Sequence, residues 1–172
     1  MEKKKTFGSY LLGFARCIYG VIRWGIILIA VVILILYVMG IHPYVVRSGS
    51  MEPTITTGSI CFVNHHAKYS EIQAGDIITF KFNETDMATH RAIAIEADGI
   101  RTKGDANEIE DAGLITEDIF VGKTIFHIPE LGYLVMKLRS VSGMMMLGAL
   151  MLLLILIGRL LEPPKKEENP KN

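Results

Sequence analysis

The 172-residue chain lacks any excess of charge. Its 18 Lys and Arg balance 18 Asp and Glu, so nothing marks nucleic acid as a partner. Metal-binding signatures are missing too: there is no HExxH, no CxxC and no cluster of carboxylates, so neither a metal nor a cofactor is expected. His65 and His66 are adjacent, which on a strand would point them to opposite faces and make a poor joint site. Cysteine is scarce, with only Cys17 and Cys61, and Cys61 sits in an apolar run that suits a small buried hydrophobe. Internal repeats are absent. Finally, two long stretches, Gly25–Ile41 and Val141–Gly158, contain no charged residue.

These two stretches hold much of the chain's apolar content, which is 50% hydrophobic overall with a mean hydropathy of +0.35. Each is about 17–18 residues long, enough to span a bilayer core as a helix. Trp24 and Tyr37 near the ends of the first block suit the headgroup layer. The first block is longer than the apolar part of a cleavable leader, and the sequence after it, GIHPYVV, offers no A-x-A site. Lys3, Lys4, Lys5, Arg16 and Arg23 precede the first block, and Arg159, Lys165, Lys166 and Lys171 follow the second. That distribution places both termini in the cytoplasm and the middle of the chain across the membrane, with Lys137 and Arg139 on the opposing flank. Cys17 and Cys61 then lie on opposite sides and cannot bridge.

The chain accordingly divides into a basic cytoplasmic or interfacial segment (1–24), a first transmembrane helix (25–41), an extracytoplasmic domain (42–140), a second transmembrane helix (141–158) and a cytoplasmic tail (159–172). Gly8, Gly13 and Gly20 weaken a helix in the first segment. The charged, proline-bearing EPPKKEENPKN predicts a disordered tail. Within 42–140, short apolar or β-branched runs (PYVV, SICFV, DIITFKF, HRAIAIE, IRTK, VGKTIFHI) alternate with turn signals such as TTGS, QAGD, ADG and KGDAN. The fold class expected is mainly β: a compact domain on the outer membrane face, flanked by two transmembrane helices.

Three short segments carry chemistry. RSGSMEPTI places Ser48 and Ser50 around a glycine on a tight bend, where amide groups are free to hold an oxyanion. His90 opens the run HRAIAIE, and Asp105 and Asp111 lie in the glycine-punctuated loop IRTKGDANEIEDAG. Each alone is an ordinary turn or strand residue. Together they supply a nucleophile, a base and an orienting acid.

The order SGSMEPT, GDIITF, THRAI and KGDAN with a later Asp resembles the boxes of type I signal peptidases, peptidase family S26. The likeness runs from about Val45 to Val135, where IPELGYLV looks like the family's final strand. Histidine rather than lysine in the base box is similar to the endoplasmic-reticulum and archaeal (SipW-like) type. The resemblance implies a serine endopeptidase that removes signal peptides from exported precursors after small residues at −1 and −3. Ser50 is then the nucleophile, His90 the general base, and Asp111 the acid that orients it. Asp105 is a supporting acid or the competing choice for that role, and Ser48 with the Ser50 amide forms the oxyanion hole. The implied partners are signal-peptide-bearing precursors, the lipid bilayer and, as a candidate, the export machinery. Ala112 and Ile115 depart from the Arg and Tyr common in this sub-type. The rival readings are a non-catalytic anchored β-domain protein and an anchored protease acting on other membrane substrates. A soluble self-cleaving repressor-type protease fits less well, because it uses lysine and has no spans.

Overall fold

The computed structural model describes residues 7–161. Lys3–Lys5 and the tail after Leu161, including its expected disorder, lie outside the described residues. The chain falls into two compact units, one holding the helical residues up to Val32 with those from Ser140 onward, the other Ile33–Arg139.

Helix α1 runs Phe7–Val38. It passes through Gly13 and Gly20, at which an added Cβ would meet nothing. The glycines therefore cost backbone entropy without interrupting the helix. The expected first block ends too late, since Gly40 takes a φ of 73° and Ile41 already belongs to a strand. Helix α3 spans Val141–Leu161, three residues beyond the expected block. Residues Leu12–Val38 and Val141–Leu161 are long and apolar enough to cross a membrane. Arg16 Nε donates to the carbonyl of Leu161, the last described residue of α3, at 2.7 Å.

The second unit is a seven-stranded antiparallel sheet. Its strands are β1 (Ile41–Val45), β2 (Ile60–Asn64), β3 (Ile77–Lys81), β4 (Met87–Glu96), β5 (Gly99–Lys103), β6 (Leu114–Ile115) and β7 (Phe120–Ile128), in spatial order β1-β2-β7-β3-β4-β5-β6. All six runs read from the sequence form strands; β6, two residues long, had no run to announce it. His65 and His66 follow β2 in a turn rather than on a strand, and the His65 ring stacks on His42 at 4.2 Å.

IPELGYLV is not a final strand. β7 stops at Ile128, Glu130 adopts a φ of 61°, and helix α2 occupies Leu131–Arg139. Pro129 cannot donate to a ladder, which favours an end to pairing there. Leu131, Val135 and Leu138 are partly buried at helical spacing. Gly132 brings the helix onto the 58–59 backbone, its N–H donating to Gly58 O at 2.8 Å.

Two clusters fill the core. One joins Ile72, Ile78, Phe80, Ala92, Ile100 and Ile115; the other joins Met51, Ile55, Cys61 and Val63. Each such large side chain contributes about 1.5–3 kcal/mol when fully buried. Ile115, at the position where tyrosine is common, is a core residue of β6, and its carbonyl accepts from Tyr69 Oη at 2.7 Å. Burial pushes the Cys61 thiol up to about 11.

Candidate functional site

The segment carrying Ser50 is held by the residues on either side of it. Upstream, Val46 N–H donates to Ser59 O and Gly58 N–H to Val46 O, both at 2.9 Å, closing residues 46–59 into a loop. Downstream, Met51 and Ile55 are buried in the second cluster, and Ile55 N–H reaches Met51 O at 2.9 Å. Glu52 Oε1 accepts from the Thr57 backbone N–H at 3.1 Å and its hydroxyl at 2.9 Å. These contacts anchor the bend, and the partly buried Ser50 faces β4.

His90 lies on β4 opposite Ile78 of β3, with the Phe80 ring edge-on to it at 6.0 Å. Its Nε2 is 3.1 Å from Ser50 Oγ, and its Nδ1 is 2.6 Å from Asp111 Oδ2. The acid dictates the tautomer: the Nδ1–H donates to the carboxylate, which leaves Nε2 to accept from the serine hydroxyl. The histidine and aspartate side chains are only 13% and 23% exposed, so water competes weakly for the 2.6 Å contact. Ser48 Oγ stands 3.4 Å from Ser50 Oγ.

Asp105 is placed differently. Arg91, the residue after His90, donates to it through Nε (2.8 Å) and Nη2 (2.6 Å), a two-pronged pairing. Those bonds hold the Asp105 carboxyl below the usual carboxylate range. Arg91 also donates from Nη1 to Gly75 O at 2.8 Å, so one guanidinium ties the acid loop to the turn before β3. Of the two aspartates left open by the sequence, Asp111 is therefore the one on the histidine. Asp105 instead shapes the loop, and that loop grips the serine backbone. The Ala106 N–H donates to Ser50 O at 2.9 Å, while a Cβ at Gly104 would fall 2.5 Å from the same oxygen.

Ser50, His90 and Asp111 thus come together, Ser48 stands beside them, and Asp105 is one step removed. Arg91, Gly104 and the Ala106 amide were not singled out from the sequence. The adjacency of Arg91 to His90 within THRAI, and the KGDA turn, were the available signals.

The sequence profile of the family described as "Signal peptidase, peptidase S26" matches residues 20–120, a stretch that includes Ser50, His90, Asp105 and Asp111. Signal peptidase I W of Bacillus subtilis (strain 168) is 37% identical over 89 residues, covering 49% of this chain and 47% of the relative. The signal peptidase complex catalytic subunit SEC11C of Homo sapiens is 40% identical over 79 residues, covering 42% and 41%. The signal peptidase complex catalytic subunit SEC11 of Pyricularia oryzae is 29% identical over 126 residues, covering 65% and 73%. The chain thus spans under half the length of the first two relatives. With the family profile covering more than half of its residues, the chain belongs to the signal peptidase family, peptidase S26.

Proposed function

We propose that this chain is a membrane-anchored serine endopeptidase that removes N-terminal signal peptides from exported precursors, cutting after small residues at −1 and −3. The observation that carries this reading is the contact line Ser50 Oγ, His90 Nε2, His90 Nδ1, Asp111 Oδ2 within a chain of the signal peptidase family.

In the proposed reaction His90 takes the hydroxyl proton as Ser50 Oγ attacks the −1 carbonyl, and Asp111 stabilises the imidazolium that forms. The Ser48 hydroxyl and the Ser50 N–H donate to the developing oxyanion. His90 then protonates the leaving amine of the mature protein. A water molecule, deprotonated by the same ring, releases the leader from Ser50.

Both apolar helices cross the bilayer in this reading, with the termini in the cytoplasm and the sheet on the far side. In support, α3 presents exposed apolar side chains around nearly its whole circumference, a pattern unsuited to water. Arg16, Arg23 and Arg159 flank the two charge-free stretches, Gly25–Ile41 and Val141–Gly158, on the side assigned to the cytoplasm. Only two residues separate the end of α1 at Val38 from β1, and four more separate Val45 from Ser50. The nucleophile is thereby kept near the membrane surface, where a leader's cleavage site emerges.

The test uses the full chain in lipid vesicles with a precursor bearing alanine at −1 and −3. Wild type releases the leader; Ser50→Ala and His90→Ala do not. Cleavage by Ser50→Ala at the wild-type rate would refute the mechanism, and no cleavage by wild type would favour a non-catalytic role.

A further inference from the structure

The Asp111 carboxylate receives a second donor that the proposed mechanism does not use. Thr102 Oγ1 donates to Asp111 Oδ2 at 2.6 Å, the same oxygen that accepts from His90 Nδ1. The backbone repeats the grip, with Asp111 N–H donating to Thr102 O at 2.9 Å. Asp111 itself lies in irregular chain between β5 and β6, whereas Thr102 is on β5 and fully buried. Thr102 pairs with Ala92, which lies two residues beyond His90 on β4. Threonine and histidine therefore sit on one face of the sheet and converge on one carboxylate oxygen.

We propose that Thr102 is the positioning residue of this site, holding the loop-borne Asp111 in the one orientation that orients His90. The inference rests on the serine–histidine–aspartate reading and extends it. A buried hydroxyl needs a partner, and here the partner is the carboxylate. Asp111 cannot swing away from His90 without orphaning that hydroxyl in the core. The fully buried strand residue thus fixes an acid that itself lies outside the strands. Thr102 touches no reacting atom and acts through Asp111.

The experiment compares Thr102→Val, Thr102→Ala and Thr102→Ser in the full chain, in vesicles, with the same precursor. Valine keeps volume and β-branching but removes the donor. Thr102→Val should lower kcat by about 10–100-fold, the range for a hydrogen bond to a charged group. KM should stay within about twofold, because ground-state binding is untouched. Thr102→Ser should restore kcat to within about threefold of wild type, as the donor returns. In an Asp111→Asn background, Thr102→Val should have little further effect, since both changes act through one carboxylate.

Thermal unfolding of each variant separates folding from catalysis, and Thr102→Ala carries the test where valine does not fold. A folded valine or alanine variant with wild-type kcat would overturn the inference. So would an equal loss with and without Asp111, or failure of both variants to fold, which would make Thr102 a determinant of the fold alone. Full activity of Asp111→Asn would instead sink the triad reading beneath it. An inactive Asp111→Asn beside a fully active Thr102→Val would sink only the role of Thr102.

Discussion

Replacing Gly104 by alanine adds one methyl group at the point where the acid loop meets the nucleophile's backbone. The new Cβ would lie 2.5 Å from Ser50 O and 2.8 Å from Asn107 Nδ2. The asparagine amide can rotate away, but the carbonyl is backbone and carries the serine with it. Restoring ordinary contact at 3.4 Å requires a relative shift of roughly 0.9 Å between loop and bend. Two elements oppose that shift. The Ala106 N–H holds Ser50 O at 2.9 Å, and Arg91 locks the loop through Asp105. The bend, for its part, is pinned by buried Met51 and Ile55. The strain therefore appears at the contact itself, in Ser50 and the hydroxyl it carries.

A displacement of about 1 Å in a reacting group costs about 100-fold in rate. Gly104→Ala should accordingly lose about that factor in kcat, with stability lowered by about 1–3 kcal/mol through overpacking. Cleavage of a precursor, measured well below the variant's own unfolding midpoint, separates the two effects. A folded Gly104→Ala with kcat within about threefold of wild type would refute the claim that this loop sets the serine's position, since a 1 Å misplacement predicts far more.

The two aspartates should separate by assay: Asp111→Asn should lower kcat by about 10⁴-fold, as expected when the base loses its tautomer control, while Asp105→Asn costs less in rate and more in stability. Removing one partner of the Arg91–Asp105 pair should destabilise the domain by about 1–3 kcal/mol, read by thermal unfolding at pH 7. The pH dependence follows in sign. Arg91 holds the folded Asp105 carboxyl below its ordinary value, so its contribution is complete above about pH 4 and fades as pH falls through the lowered value. The wild-type unfolding midpoint should therefore drop more steeply than that of Asp105→Asn below about pH 4, and parallel curves would contradict the pairing. In a Cys17→Ser background, Cys61 should resist maleimide at pH 7.5 until denaturant is added, because its thiol is buried and pushed up to about 11. Rapid labelling of the native protein would show that the second core cluster is open.

The strands were legible because their signal is local: β-branched and apolar runs bounded by glycine-bearing turns survive whatever packs against them. IPELGYLV failed for the opposite reason. Its apolar residues fit either period, and the choice of helix depends on a left-handed Glu130 and on Gly132 settling over Gly58, neither of which is a property of the segment itself. The long α1 extends past the reach of the same local signal, since glycine at 13 and 20 lowers helix propensity by only about 1 kcal/mol each and does not break the helix. At the site, residue type and order were enough to collect Ser50, His90 and two acids, which the fold brings close together. They were not enough to rank the acids. Asp105 and Asp111 both sit in the same glycine-punctuated loop, and what separates them is a third residue: Arg91 takes Asp105, so that only Asp111 reaches the imidazole. Which acid meets which partner is thus set by a cation adjacent to His90 and a hydroxyl on the neighbouring strand. Pairing across β4, β5 and the loop brings those groups together from residues 91, 102, 105 and 111, and nothing in their linear spacing encodes which oxygen each will meet.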